Sequence, residues 1–283
     1  MIKIENLFYS PVKSISFTES DSLNVLEGKG IESDRVFAFV QNMDSSKIKN
    51  LIEDPKSRKL NNFITLKNTP ELNKYNFTYI KDKLILKKQD EIIVSINPFS
   101  DNEKKLLCEK VSQIITKDKR LDFLMDEKNP FFDTMPDNSI SLINKKSIID
   151  FSRKISTDIE FERFRANIYI DGLAAWEERN WIGKTININD IKFIISDEIS
   201  RCSATNLKPS TDVVTINLPR QLKNTYDHIN MGLYLVPQQN GVISKAQDLI
   251  EIDADVSCLI TQDYINDVVT RLKYYKKISS SKT

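Results

Sequence analysis

The sequence predicts a mainly β protein with a few helices, an α+β fold, and three features carry that reading. Apolar and polar residues alternate through much of the stretch from Ile2 to Ile96, and the alternation returns after Glu160. Between these regions, apolar residues recur at helical spacing in two short stretches. Asn, Asp, Gly and Lys turns punctuate the alternating segments.

In chain order, IKIENLFYSPV, SISFTES, RVFAFVQ, FITLKN, FTYIKDKLILKK and EIIVSI read as strands, with KDK as a hairpin turn after FTYI. A helix is expected next, because Ser100 and Glu103 match a capping box while Leu107, Val111 and Ile114 or Ile115 share one face. The loop DEKNPFFDTMPDNS leads to a short strand, SISLIN. A second helix, KKSIIDFSRKI, follows with Ile148, Phe151 and Ile155 in helical register. FERFRANIYIDG, KTININDIKFIISDEISRC and INMGLYLVPQQNGVISKAQDLIEI then predict an antiparallel barrel or curled sheet, with Asn240-Gly241 as a hairpin signal. Ile265, Val268, Val269 and Leu272 predict an amphipathic carboxy-terminal helix that packs on the body, before a disordered SSSKT end. The expected division is 1–98, a connecting helix at 99–128, a second domain at 129–252 and a helical tail at 253–283.

The 283 residues are long enough for two domains at roughly 150 residues each. Lys and Arg number 41 against 40 acids, so no global field holds nucleic acid or an anionic membrane, and any anion site must be local. No apolar run approaches the ~18 residues of a bilayer span. MIKIENLFYSPVKS lacks a secretory pattern, and a cytoplasmic location is expected. Three cysteines and one histidine are too few for a four-thiolate cluster or a two-cysteine, two-histidine zinc site within the chain.

Ser200-Arg201-Cys202-Ser203-Ala204-Thr205 is the most informative cluster. A cysteine beside arginine and hydroxyls favours thiolate, which serves as nucleophile or soft metal ligand. Cys108 and Cys258 have apolar neighbours and read as small packed hydrophobes. Lys13, Arg35, Arg165 and Asn167 lie at strand ends and have the chemistry of a phosphate site, although each has a plain surface reading, Asp34-Arg35 as an exposed ion pair. Gly28-Lys29-Gly30 is read as a turn rather than a phosphate loop, because it opens no helix. His228 reads as a structural hydrogen-bonding histidine, and Trp176 and Trp181 as loop anchors.

PVKS, a glycine followed closely by DR, FRANIYIDG with a tryptophan soon after, SRCSATN and GLYLVPQQNGVISKAQDL, in that order, resemble the MOSC family of molybdenum-cofactor proteins. The likeness is nearest to bacterial relatives of the mitochondrial amidoxime reducing component. It implies an amino-terminal β-barrel module joined to a MOSC β-barrel, with a pyranopterin molybdenum cofactor between them. Cys202 would be the metal ligand and the catalytic residue. Lys13, Ser14, Arg35, Asn138, Ser139, Arg165, Asn167, Ser200 and Arg201 would contact the cofactor. Ala166 replaces the proline of the family's FRPN, and NLKPSTDVV departs from its pattern after the cysteine, a change that bears on substrate preference.

The implied function is reduction of N-hydroxylated or N-oxygenated small molecules, with electrons from a separate ferredoxin or cytochrome b5-like donor and its reductase. Neither a nucleic-acid nor a membrane partner is expected. The alternatives are a sulfur carrier or transferase working through a Cys202 persulfide, a noncatalytic cofactor-binding protein and, outside the family, a hydrolase pairing Cys202 with His228. The family's generic association with pyridoxal phosphate has no motif of its own here.

Overall fold

The computed structural model describes residues 1–15, 17–115, 120–132, 140–245 and 248–253. In chain order its strands are β1 (Ile2–Tyr9), β2 (Thr18–Ser20), β3 (Ser22–Leu26), β4 (Gly30–Ile31), β5 (Phe37–Gln41), β6 (Asn76–Ile80), β7 (Lys83–Lys88) and β8 (Glu91–Ile96). They continue as β9 (Leu121–Met125), β10 (Ile140–Asn144), β11 (Ile168–Asp171), β12 (Thr185–Ile188), β13 (Ile191–Ser200), β14 (Asn230–Pro237), β15 (Gly241–Ser244) and β16 (Asp248–Asp253). The helices are α1 (Ser45–Glu53), α2 (Asp101–Ile114), α3 (Lys145–Lys154) and α4 (Leu218–Tyr226).

An eight-stranded sheet runs β11-β10-β14-β13-β12-β16-β1-β2 and curls far enough that β1 also pairs with β11. Its pairings are antiparallel except β10 with β11, which run parallel. That exception follows from the connection: α3 intervenes between β10 and β11, and a crossover returns the chain in the same direction. The wholly antiparallel expectation is corrected at this point. β1 and β2, from the amino-terminal segment, belong to the sheet built by residues 140–253, and Ile4, Leu7 and Leu23 share its core with Ile168, Phe193 and Leu233.

The amino-terminal barrel does not form as one sheet. Its strands divide among β15-β3-β4, β5-β9, β6-β7-β8 and the large sheet. The physical reason lies between β5 and β6, where α1 and short 3-10 turns led by Pro55 and Pro70 break any continuous ladder. FITLKN is likewise no strand: Phe63 makes an isolated bridge to Val40, and the Asn68 side chain then accepts from the Thr65 amide at 2.9 Å, turning the chain.

The two foreseen helices form. Ser100 caps α2 by accepting from the Glu103 amide, and Leu107, Val111 and Ile115 are buried. The Glu103 carboxylate reaches the Asn97 amide at 2.8 Å, one turn further back than a capping box requires. Lys81 and Asp82 both have positive φ, the geometry of a two-residue hairpin turn between β6 and β7. Gly28 has φ 67°, consistent with the turn reading, and the Lys29 amide donates to Leu26 O at 3.1 Å.

Asn240-Gly241 turns the chain without closing a hairpin. β15 pairs with β3 rather than β14, and the Asn240 side chain accepts from the Glu27 amide at 2.8 Å. The expected carboxy-terminal helix lies outside the described residues, as do Asn138, Ser139 and Cys258.

Gly232 in β14 has φ 83°, and a Cβ there would lie 2.5 Å from both Ile143 Cγ1 and Leu142 O. Backbone strain and a backbone clash act together at this position. Gly232→Ala is therefore expected to lower stability by about 2–4 kcal/mol. Urea denaturation checks this, and an unchanged midpoint would refute the close packing of β14 on β10.

Candidate functional site

A cavity of about 250 Å³ lies where the amino-terminal turns meet the ends of the large sheet, and Lys13, Ser14, Arg35, Arg165, Asn167, Ser200, Arg201 and Cys202 all line it. The residues come from separate segments, and three turns deliver the cations. Ser10 Oγ donates to Val12 O and Ile15 O, each at 2.9 Å, tying the first turn beyond β1. Ser14, Arg35 and Arg165 all adopt left-handed backbone, with φ 59°, 56° and 54°. Such strain in non-glycine residues is held in place by surrounding bonds. The Arg35 amide donates to Ser10 O at 2.6 Å, and Arg35 O accepts from Phe131 N at 2.8 Å.

Lys13 is 2% exposed, donates from Nζ to Phe131 O at 2.8 Å and lies 5.0 Å from the Phe63 ring centre. Burial pushes its pKa well down, and the guanidinium groups of Arg35 and Arg58 add to the effect. Arg165 packs over Phe17 with 5.0 Å to the ring centre, and its pKa is pushed down to about 10 by burial and by Arg35, so it stays charged at neutral pH. Arg35 pairs with Asp34 and lies over Phe132 at 5.2 Å. Lys13, Arg35, Lys67, Arg165 and Arg201 line the cavity, and a buried carboxylate, Asp34, lies beside Arg35.

That carboxylate corrects the exposed ion-pair reading, since Asp34 is 1% exposed. It accepts from Ser10 N at 2.6 Å and from Asn167 Nδ2 at 3.3 Å, and burial pushes its pKa up against the opposing pull of Arg35. No sequence signal separates a buried Asp-Arg pair from an exposed one. Thr65, Lys67, Phe131, Phe132 and Tyr234 also line the cavity, and of these only Tyr234 falls in a motif, GLYLVPQQNGVISKAQDL.

Two lining residues are spent on the protein itself. Asn167 Oδ1 accepts from the Ser141 amide at 3.1 Å and its hydroxyl at 2.8 Å, while Nδ2 also donates to Phe8 O at 3.1 Å. The Arg201 guanidinium is buried against carbonyls, donating to Phe164 O at 2.7 Å and from Nε to Met231 O at 2.8 Å. Both hold backbone at the cavity wall. Ser200 Oγ donates to Asn230 Oδ1 at 2.8 Å.

Cys202 is an exposed free thiol at the mouth. Its carbonyl accepts from Thr205 Oγ1 at 2.8 Å and from Thr205 N at 3.1 Å, which fixes the turn Ser203–Asn206 behind the sulfur. Cys108 differs: it lies on α2 and packs against the core, and burial pushes its thiol up to about 12, consistent with its apolar reading. His228 is not among the described residues lining the cavity. Its Nε2 faces Arg179 Nη1 at 2.9 Å and Nδ1 accepts from the Asn230 amide at 3.2 Å, which overturns the Cys202–His228 hydrolase. Trp181 is buried in the main core and Trp176 Nε1 donates to Asp150 at 2.8 Å, both anchors as expected.

The MOSC domain family matches residues 130–251, which contribute Cys202 and the cavity wall from Phe131 to Tyr234. The chain carries a MOSC domain. The chain is similar to two curated proteins. The rat protein "Mitochondrial amidoxime reducing component 2" is 30% identical over 92 residues, 32% of this chain and 27% of the relative. The Caenorhabditis briggsae protein "Molybdenum cofactor sulfurase" is 24% identical over 231 residues, 74% of this chain and 29% of the relative. The chain thus spans under a third of either relative. Among solved structures, the YUAD protein from Bacillus subtilis aligns with 88% of this chain and 95% of its own at 11% identity and a TM-score of 0.41. YiiM from Geobacillus stearothermophilus aligns with 46% and 62% at 19% identity and a TM-score of 0.34.

The Lys13 environment makes a prediction about anion binding in this MOSC protein. An amine with a lowered pKa takes up a proton when an anion arrives beside it, so affinity falls as pH rises. Sulfate, which does not titrate near neutrality, should bind with uptake of part of one proton, read as a buffer-dependent enthalpy in calorimetry. Lys13→Met should abolish the buffer dependence. Equal enthalpies in all buffers for both proteins would refute it.

Proposed function

We propose that this MOSC protein is a molybdenum-cofactor-dependent oxidoreductase that reduces N-hydroxylated or N-oxygenated compounds with electrons from a separate donor. The observation that supports it best is the union, in one cavity, of buried cations suited to a phosphate and an exposed thiol suited to a soft metal. The name of one curated relative refers to the molybdenum cofactor and that of the other to the reduction of amidoximes.

The residues fit the group by their chemistry. Lys13, Arg35 and Arg165 line the cavity with the donor chemistry that would hold a phosphate. Cys202 would be the metal ligand, and the Thr205 bonds to its carbonyl would fix the direction of its sulfur. Asn167 and Arg201 would act one step removed, by holding the walls. Bound there, the cofactor supplies two-electron redox chemistry that the side chains lack. The overall change consumes two electrons and two protons, and leaves an N–H group and water in place of the N–OH group. The electrons would come from a ferredoxin or cytochrome b5-like partner.

Exposure of Cys202 also suits a persulfide carrier, and one experiment separates the readings. Protein made in a cofactor-competent host is analysed for metal, pterin and turnover of an amidoxime, alongside Cys202→Ala. The reductase reading expects about one molybdenum per wild-type chain and a loss of turnover of at least ~100-fold in the variant, at ~1.4 kcal/mol per tenfold. A sulfur-modified Cys202 with no metal or pterin in folded wild type would overturn it in favour of the carrier. A loaded cofactor without turnover of any N-oxygenated compound would leave a binding protein.

A further inference from the structure

A second cleft, of about 490 Å³, shares Arg165 and Ala204 with the first cavity, and Ala204 lies two residues beyond Cys202. Its walls come from both parts of the chain: Phe8, Phe17 and the segment around Tyr75 and Lys88 on one side, Glu162 to Arg165 and Leu207 to Ser210 on the other. The far wall belongs to NLKPSTDVV, the stretch after the cysteine. Leu207 bridges to Val214 and the Lys208 amide donates to Val213 O at 2.9 Å, giving the stretch a defined shape. It is clamped from outside as well: Asn73 Nδ2 donates to Lys208 O at 2.9 Å and to Thr211 O at 2.6 Å, and Lys74 pairs with Asp212 at 2.7 Å. The cleft is therefore held open in one form rather than left to loop movement.

Its lining combines flat rings with positive charge. Phe8 and Phe17 pack with ring centres 5.1 Å apart, and Lys88 lies 6.0 Å from the centre of the Tyr75 ring. Lys74, Lys88, Arg163 and Arg165 face a single carboxylate, Glu162. Lys74 is balanced by Asp212, and Arg163 by Glu160 at 2.6 Å. Lys88 is exposed beside the Tyr75 ring, where an incoming anion reaches it at little desolvation cost. Rings accept a planar group, and the cations favour a negative charge on it.

We propose that this cleft is the recognition subsite for the organic part of the substrate, and that it selects planar aromatic compounds bearing a carboxylate or phosphate, with Tyr75 as platform and Lys88 as the anionic anchor. The proposal rests on the reductase reading only for the identity of the reacting group. The clamped stretch 207–214 sets the width of the cleft.

The test uses benzamidoxime and para-carboxybenzamidoxime, a pair that differs by one charge. In the loaded protein, kcat/KM should favour the carboxylate by about fivefold, the upper worth of an exposed charge pair. Lys88→Glu should invert that preference, and Tyr75→Ala should raise KM for both compounds. Separately, each compound is titrated by calorimetry into the full chain as isolated, without reductant. Para-carboxybenzamidoxime should bind more tightly than its neutral partner, and the difference should shrink in Lys88→Glu and with added salt. The same preference in wild type and Lys88→Glu, in turnover or in titration, would overturn the subsite. Absence of turnover with both compounds condemns the reductase reading alone, and the titration then decides the cleft.

Discussion

The buried Asp34 carboxylate is the constraint on which the site depends. Its oxygens take the Ser10 amide at the end of β1, the Arg35 guanidinium and the Asn167 side chain. Asn167 in turn holds Phe8 O and the Ser141 amide and hydroxyl. One acid therefore ties the amino-terminal turns to the parallel pair β10 and β11. A buried charge is tolerated only with partners that satisfy it, and loss of any one leaves the remainder uncompensated. Asp34 is better understood as the joint that sets the positions of Arg35 and Asn167 than as a net source of stability.

Burial and mutual repulsion set the electrostatic state of the cavity. Lys13 and Arg165 are driven down from their ordinary values by burial first and by neighbouring guanidinium groups second. Gathering like charges in a partly dry space costs free energy, and an anionic ligand offsets that cost when it binds. Ligand affinity and fold stability are then coupled, because whatever binds the native state alone stabilises it by mass action. The left-handed backbones of Ser14, Arg35 and Arg165 belong to the same logic: each turn is strained where it presents a polar side chain to one cavity.

How much of this was legible in the sequence depended on whether the information was local. Ser100 before α2 and Lys81-Asp82 between β6 and β7 act through neighbours a few residues away, and both formed as read. Asn240-Gly241 is an equally clear turn signal, but which strand follows which edge is a long-range choice, and β15 went to β3. The short helices α1 and α4 gave too little periodicity to foresee. Lys13, Arg35, Arg165 and Cys202 stood out by chemistry, and the motif order suggested that they belong together. Their convergence, the burial of Asp34 and the spending of Asn167 and Arg201 on backbone carbonyls and amides are tertiary facts. Thr65 and Phe131 had no signal at all, because a wall is made by position and not by residue type, and Tyr234 lay in a motif that did not single it out.

The environment of Cys202 limits what the polypeptide contributes chemically. Activation of a cysteine as a nucleophile commonly uses an adjacent base, and the chain's one histidine is engaged at both ring nitrogens by Arg179 and the Asn230 amide. Burial and then the Arg179 guanidinium lower the His228 pKa. It stacks with Tyr226 at 5.8 Å and meets Trp176 edge-on at 5.9 Å, a packed cluster built on α4 and its following turn. A sulfur at the mouth of a cationic cavity, with its backbone fixed by Thr205 and no imidazole beside it, is arranged to be held in place as a donor. Under the reductase reading the division of labour follows: the protein contributes a sulfur ligand, charge balance and a shaped approach, while electron transfer falls to groups the amino acids cannot replace.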